Sequence, residues 1–541
     1  MAHDATTRTE PWTTAIKRIA ALMALSSLGA TLSIAQSYTC WSWGYNLWGQ
    51  LGDGTDQRRN VPNQILAGQH VAQISAGVGH SIVMLSNGRV MAFGDNTYGQ
   101  LGDGTNTESW VPVLVSGLSD AVQISAGGSH NVAARANWRA TAWGVNDGRL
   151  GNGSTAHSNV PVQVLNLFGV RSISASETHA LALLSDGTVW AWGLNGFGQL
   201  GNGTPSFLET SPVQVTGLTG VTRVAAGSGF SVALRSDRTV WTWGQNHFGQ
   251  LGDGTNTSRS IAAPIGLNGV VAIACGQHFA LAVLSPALNG QVWAWGTNEN
   301  GELGNGSDVA SNVPVQADGL TNVVAVDAGH NHALALDGNG KVWSWGRNFD
   351  GQLGLGTNNW KESQPQEIPT LSNVTAISAG GMHSMALQAA TRPVWGTITF
   401  GHFSGNPATI PIAFELIDPA SSTVVYAGMV YTNEAAWYNW TTYVAPGTYH
   451  LRAKAPHWLR HLVSNVVFTV NGAANVNFTI VNGDVNGDNS VNVADFLALR
   501  QAFGTSSGSG GFNPNADLNG DGSVNVTDFL ILRANFGQTG V

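Results

Sequence analysis

A chain of 541 residues is longer than one hydrophobic core ordinarily organises, and 43% hydrophobic content supplies ample apolar surface for several domains. Only 10% of the residues are charged, while 69 glycines and 20 tryptophans point to short strands joined by tight turns. The net charge of −9 comes without any basic run, and phosphate backbones are held by clustered Lys and Arg, so nucleic acid is excluded as a partner.

At the N-terminus, Lys17-Arg18 precede an apolar stretch from Ile19 to Leu28, and Ser33-Ile-Ala35 offers small residues for cleavage. This pattern predicts a secretory signal over 1–35. The stretch is too short for a membrane span, which takes about 20 apolar residues, and no other segment qualifies as transmembrane. Cys40 has no lipoprotein-type cleavage context, because Ser37-Tyr-Thr precedes it. Cys40 and Cys275 fall in units that are not neighbours, so both are expected as free thiols.

The next segment is a repeat. Trp43-Gly-Tyr-Asn-Leu-Trp-Gly-Gln-Leu-Gly-Asp-Gly-Thr55 returns with openings at Phe93, Trp143, Trp192, Trp243, Trp295 and Trp345, a period of about fifty. A second motif, Ile74-Ser-Ala-Gly-Val-Gly-His80, interleaves with it, and its later copies are read as ending at His130, His179, Phe230, His278, His332 and His383. On that alignment histidine fills one place in six of seven units, and a residue repeated in every unit serves the unit rather than a metal. Between the motifs, apolar runs meet at turn residues such as Ser86-Asn-Gly88, which predicts a β-hairpin per unit. The last His383 unit lacks a complete partner block, whereas Tyr38–Gly44 lacks a preceding Ala-Gly motif. The two halves should complete one blade and close a ring. Trp41 and Trp43, and the pairs at 190/192, 241/243, 293/295 and 343/345, are two apart on a strand and share a face, which suggests packing between blades.

These units resemble the regulator of chromosome condensation repeat, whose signature is the Trp-Gly-x-Asn-x-x-Gly-Gln-Leu-Gly-x-Gly-Thr block. The resemblance implies a mainly β fold, with a seven-bladed β-propeller over 36–390 closed by both termini. Asn152-Gly-Ser, Asn202-Gly-Thr and Asn305-Gly-Ser match a glycosylation pattern but lie in the repeat's Asn-Gly turn, where backbone conformation explains them.

From 391 to 481, apolar-rich runs such as Ile412–Ile417 and Asn475-Val-Asn-Phe-Thr-Ile480 alternate with turn residues and predict a small antiparallel β-sandwich. Its Ala445-Pro-Gly-Thr-Tyr-His-Leu-Arg-Ala453 stretch is similar to carboxypeptidase-regulatory-like modules. Trp437, Trp440 and Trp458 could stack on sugars, but in so small a domain they are expected in the core.

Over 482–541 two loops recur 33 residues apart. Asp484, Asn486, Asp488, Ser490, Asn492 and Asp495 stand at positions 1, 3, 5, 7, 9 and 12 of the first loop. Asp517, Asn519, Asp521, Ser523, Asn525 and Asp528 stand in the second. Calcium takes six to eight hard oxygens, and this spacing wraps one ion per loop. Gly522 provides the sharp turn at position 6, where the first loop has Asn489. Each loop runs into an apolar helix, and Phe496, Leu499, Phe503, Phe529, Leu532 and Phe536 are expected as the core. The duplicated loop-helix units resemble a type I dockerin, a small α-helical domain with Asp at position 12. The resemblance implies two Ca2+ ions and a cohesin-like partner bound through Val493, Ala494, Val526 and Thr527.

No nucleophile elbow, metalloprotease motif or phosphate-cradling loop occurs. The expectation is a bacterial protein, secreted or attached to the cell surface, that is not an enzyme. Its propeller would bind a protein or glycan while its dockerin docks it. The alternative is a polysaccharide-acting enzyme or carbohydrate-binding protein. Glycoside hydrolysis needs two carboxylates held roughly 5 to 10 Å apart, and nothing marks such a pair outside repeat and calcium positions.

Overall fold

The computed structural model describes residues 38–540, apart from 390–391, 401–402, 404–409, 432–436, 443–446, 457, 469–472 and 474–475. The predicted signal over 1–35 lies outside the described residues. The described chain forms two compact units, Tyr38–Ala389 and a second within Ala390–Val541.

The first unit contains seven four-stranded sheets. Six are built from consecutive strands, as in Val71–Ala76, His80–Leu85, Val90–Gly94 and Ser109–Leu114. The seventh joins the ends of the region. Tyr38–Gly44 pairs antiparallel with His383–Ala389, with Cys40 opposite Leu387 and Trp43 opposite Ser384. The predicted closed seven-bladed propeller is present, with Val374–Ala379 as the inner and Arg59–Ile65 as the outer edge strand of the closing blade.

The signature block explains itself locally. Asn46 is fully buried; its Oδ1 accepts from Leu51 N at 2.9 Å and its Nδ2 donates to Thr55 O at 2.8 Å, which holds the loop as a rigid knot. The aromatic residue that opens each block locks one blade to the one before it. Trp243 Nε1 donates to Gln199 O at 2.8 Å and Trp43 Nε1 to Gln352 O at 2.9 Å, so even the closing blade is tied in. Each indole sits on the last glycine of the neighbouring Gly-Gln-Leu-Gly. At Gly201, with φ of 68°, a Cβ would fall 2.7 Å from Trp243 Nε1, so a side chain is excluded by both space and backbone. Within each tryptophan pair the second ring is fully buried, as Trp43, Trp192, Trp243, Trp295 and Trp345 are, while the first is half-buried.

One alignment needs correction. Phe279, not His278, stands opposite Gly296, just as His80 stands opposite Gly94 and Phe230 opposite Gly244. The repeated histidine is therefore present in five blades and replaced by Phe230 and Phe279 in two. His278 lies one residue before the strand and faces another environment. The two thiols are free: Cys40 is buried and Cys275 half-buried.

The second unit holds two sheets, one ordered Val424–Tyr431, Pro411–Ile417, Gly447–Lys454, His461–Phe468 and one ordered Trp437–Thr442, Arg392–Phe400, Phe478–Ile480. Their inner faces share a core that includes Ile398, Phe414, Leu451, Trp458 and Phe478. The sandwich differs from the antiparallel expectation in one pairing, Ile398–Phe400 with Phe478–Ile480, which is parallel. Trp458 is a core residue as expected; the side chains of Trp437 and Trp440 lie outside the described set.

Two short helices follow, α1 (Val493–Ala502) and α2 (Val526–Ala534). Each begins with a capping box. Asn492 and Asn525 cap the first turns, and Asp495 and Asp528 reach back to the cap backbone. Leu499, Ile531 and Leu532 are buried together with Val485, Val491, Leu518 and Val524. Phe503 and Phe536, expected in this core, are about half exposed. They lie at or past the helix ends, where no opposing element covers them.

Candidate calcium centre and propeller mouth

The two loops are built alike, atom by atom. Asp484 Oδ2 accepts from Asn489 N at 3.0 Å, and Asp517 Oδ2 accepts from Gly522 N at 2.8 Å. Asn486 Oδ1 accepts from Asp488 N at 2.9 Å and Asn519 Oδ1 from Asp521 N at 3.1 Å. Asp488 Oδ1 accepts from Ser490 N, as Asp521 Oδ1 does from Ser523 N, both at 2.9 Å. Each twelfth-position carboxylate ties the ends of its loop. Asp495 accepts from Asn486 N and Asn492 N, and Asp528 from Asn519 N and Asn525 N. Asp484, Asp495, Asp517 and Asp528 are buried while Asp488 and Asp521 stay exposed, so each loop has a closed inner side and an open rim.

Burial, together with the nearby charges of Asp488 and Asp484, holds the Asp495 carboxyl above its ordinary range. Asp517 is raised by burial and by Asp528 and Asp521. Like charges crowded away from water favour protonation, or a cation, in the same space. Asp484 Oδ1 is buried without a hydrogen-bond partner, which leaves a carboxylate oxygen whose desolvation a cation would offset. Among the described residues no three His, Cys, Asp or Glu side chains converge closely enough to hold a metal by themselves. The loops add amides, hydroxyls and backbone carbonyls, an all-oxygen set suited to calcium rather than to a softer ion.

The positions expected to contact a partner are all on the surface: Val493, Ala494, Val526 and Thr527 are exposed. The sequence reading missed their neighbours. Val493, Leu497 and Phe503 are exposed around α1, and Val526, Leu530 and Phe536 are their equivalents around α2. The 33-residue spacing carried that signal, since each exposed apolar residue recurs with the loop it follows. The two apolar patches match one another residue for residue on so small a domain.

The propeller contributes a second candidate. Inner strands line a central cavity of about 240 Å³. At its mouth the second motif places one residue per blade. Three of these are Val78, Gly128 and Gly381, and the other four are Glu177, Ser228, Gln277 and His330. The near seven-fold pattern is broken on the polar side. His330 Nε2 approaches Glu177 Oε1 to 2.6 Å from three blades away, Gln277 Nε2 donates to the same oxygen at 3.4 Å, and Ser228 Oγ donates to Glu177 Oε2 at 3.4 Å. Burial alone would raise the Glu177 carboxyl, but the His330 contact and the His330 and His278 charges hold it below its ordinary range. Burial lowers His278, with Glu177 opposing. Exposed aromatic rings border this mouth: Trp48 lies against Gly79, Phe197 against Gly229, and Phe248 stacks on His278 with centroids 4.9 Å apart. Asp327 stands deeper in the cavity, where burial pushes its carboxyl up to about 6.

Comparison with known proteins agrees with this geometry. Residues 159–427 match the RCC1-like domain, residues 39–84 and 87–134 match the regulator of chromosome condensation (RCC1) repeat, and residues 482–537 match the dockerin type I domain. The E3 ubiquitin-protein ligase HERC2 of Homo sapiens is 37% identical over 150 residues, 26% of this chain and 3% of that protein. The ultraviolet-B receptor UVR8 of Arabidopsis thaliana is 36% identical over 151 residues, 26% of this chain and 33% of the receptor. The chain thus spans no more than about a third of either relative. Human WBSCR16 superposes with a TM-score of 0.59 at 23% identity, covering 65% of this chain and 99% of that one. Prp20p of Saccharomyces cerevisiae gives 0.59 at 22% identity, covering 67% and 93%. Both show the propeller fold. The chain belongs to the regulator of chromosome condensation repeat family and carries, in addition to its propeller, a type I dockerin domain.

Proposed function

We propose that this is an exported, non-catalytic binding protein. Its dockerin, loaded with one calcium ion per loop, docks to a cohesin-like partner, and its propeller presents the polar mouth and aromatic border to a protein or glycan. The reading divides the chain into a signal over 1–35, a propeller over 36–390, a sandwich over 391–481 and a dockerin over 482–541. The observation that carries it is the pair of equivalent exposed apolar patches beside the calcium loops, Val493, Leu497 and Phe503 with Val526, Leu530 and Phe536. A surface of that kind, on a domain with an oxygen-only donor set, suits calcium-dependent docking. Among the described residues no helix is long and apolar enough to cross a membrane, which is compatible with a secreted or surface-attached protein.

The test uses the full chain as bait against secreted and envelope proteins of its source, in calcium and in chelator. A cohesin-like protein should be retained in calcium only, and Leu497→Asp with Leu530→Asp should abolish retention without loss of helical signal. Retention indifferent to both calcium and these substitutions overturns the docking assignment. Release of reducing sugar from any polysaccharide by the purified chain overturns the non-catalytic one.

A further inference from the structure

The first calcium loop is not built by the dockerin segment alone. Strand Gly447–Lys454 belongs to the sandwich, where Leu451 and Ala453 are core residues. From its end the chain runs directly along the first loop. Lys454 Nζ donates to Asp484 Oδ2 and, at 3.0 Å, to Trp458 O. Leu459 N donates to Val481 O at 2.7 Å, and the Leu459 side chain is buried in the same core as Leu499 and Leu532. Arg460 N donates to Asn489 Oδ1 at 2.7 Å.

These contacts divide the labour of the Asp484 carboxylate. Its outer oxygen, Oδ2, is held by Lys454 and by Asn489 N, while Oδ1 is left buried and unpartnered for the cation. Groups that hold the outer atoms of a ligand fix its orientation and commonly govern metal affinity. The same contacts account for Asn489. It has φ of 71° at the position where the second loop has Gly522 with φ of 86°. A non-glycine residue pays for that conformation; here the carboxamide bond to the Arg460 amide offsets the cost, which no glycine could do.

We propose that the β-sandwich completes the first calcium site. Lys454 is a positioning residue for the ligand Asp484, Asn489 is the clasp between the two modules, and calcium binding at this loop is thermodynamically linked to the end of the sandwich strand Gly447–Lys454. The inference rests on the reading of the loops as calcium sites, and the two fail differently.

Isothermal titration of the full chain with calcium chloride should show two ions for the wild type. Lys454→Met should weaken one of them at least about tenfold, the usual lower range for loss of a group that orients a ligand. Lys454→Gln, which keeps an N–H donor without the charge, should recover most of that loss. In an Asp495→Ala background, where the first loop is disabled, Lys454→Met should have no further effect on the remaining ion. Calcium should also slow amide exchange over 447–461 in the wild type. In Asn489→Gly, which has the glycine of the second loop, both ions should still bind but that slowing should be lost. Absence of any calcium binding sinks the calcium reading itself. Two ions bound equally well or better by Lys454→Met, or exchange over 447–461 that ignores calcium in the wild type, overturns the coupling while leaving the sites in place.

Discussion

The repeated histidine position shows how a single residue answers to the next blade. His80 Nε2 lies 2.8 Å from Asn131 Oδ1, and His179, His332 and His383 lie 2.7, 2.9 and 2.7 Å from the hydroxyls of Ser231, Ser384 and Ser81. Where the following blade offers alanine instead, at Ala280 and Ala333, the ring is Phe230 and Phe279. His130 breaks the pattern: the following blade has Ala180 at the equivalent position, and both nitrogens of His130 are buried without a hydrogen-bond partner among the described residues. Burial accordingly lowers its pKa well below the ordinary histidine value. His130→Phe should raise stability by about 1 to 2 kcal/mol, the cost of one unsatisfied buried polar group, with an increased denaturation midpoint as the measurement. An unchanged or lower midpoint contradicts that account. Asp327 is the second exception, standing where four other blades have Ser75, Ser125, Ser174 and Ser378. Its Oδ2 accepts from Ala379 N at 2.9 Å, the bond that Ser378 Oγ makes to Ala76 N at 3.1 Å. Burial pushes its carboxyl from 3.8 to about 6. The folded state therefore binds the proton more tightly than the unfolded one, so stability falls as pH rises from about 4 to about 6 and the loss is complete above that window. Asp327→Ser should gain about 1 to 2 kcal/mol at pH near 7.5, a figure reduced for the partial exposure of this group to the cavity, and almost nothing near pH 3.5. Equal gains at both pH values would show that the carboxylate charge is not the cause.

At the scale of elements, the block and the helix-loop unit are stabilised in opposite ways. The block is dry: Trp243 is fully buried and its indole N–H is satisfied by Gln199 O. Trp243→Ala removes a large ring and leaves a cavity that flat strands cannot close, so a loss of about 3 to 5 kcal/mol is expected in chemical denaturation. A loss below about 1 kcal/mol, far under that core range, would mean that the ring is dispensable to blade packing. The helices are wet and short. α1 has ten residues and α2 nine, below the length at which isolated helices persist. With Phe503 and Phe536 exposed, their core is smaller than the sequence suggested, and within each loop the carboxylates repel one another, Asp484 and Asp488 against Asp495 in the first and Asp521 and Asp528 against Asp517 in the second. Metal binding should therefore supply much of the folding free energy of this segment. Chelator, or Asp495→Ala with Asp528→Ala, should remove its helical circular dichroism and leave the propeller's β signal in place. Identical helical signal in chelator and in millimolar calcium would refute this.

At the scale of the whole molecule, the propeller is held shut by contacts between residues more than 300 apart. Trp41 Nε1 donates to Gln388 Oε1 at 2.9 Å, Trp43 Nε1 to Gln352 O, and the whole strand Tyr38–Gly44 pairs with His383–Ala389. Deleting residues 38 to 44 should expose the edge of the last complete pair and open the ring, lowering the melting temperature and promoting self-association through the unpaired strand. A deletion variant that stays monomeric with an unchanged melting temperature would show that closure does not depend on this strand.

The sequence by itself determined the blade count, the closure by both ends, and the two duplicated acidic loops that each lead into a short helix. Each of these is written as a repeat, and a repeat states its own spacing. What it misaligned was His278 against Phe279, because a histidine beside a phenylalanine satisfies the same local pattern and only the pairing of Phe279 with Gly296 fixes which one enters the core. It overfilled the dockerin core with Phe503 and Phe536, because an apolar residue past a helix end reads the same whether or not anything covers it. Only the tertiary structure could bring Glu177, Gln277 and His330 from three blades to one mouth, or set Lys454 against Asp484. These residues are single departures from the repeat, separated in the chain and joined by curvature and packing, which local spacing does not record.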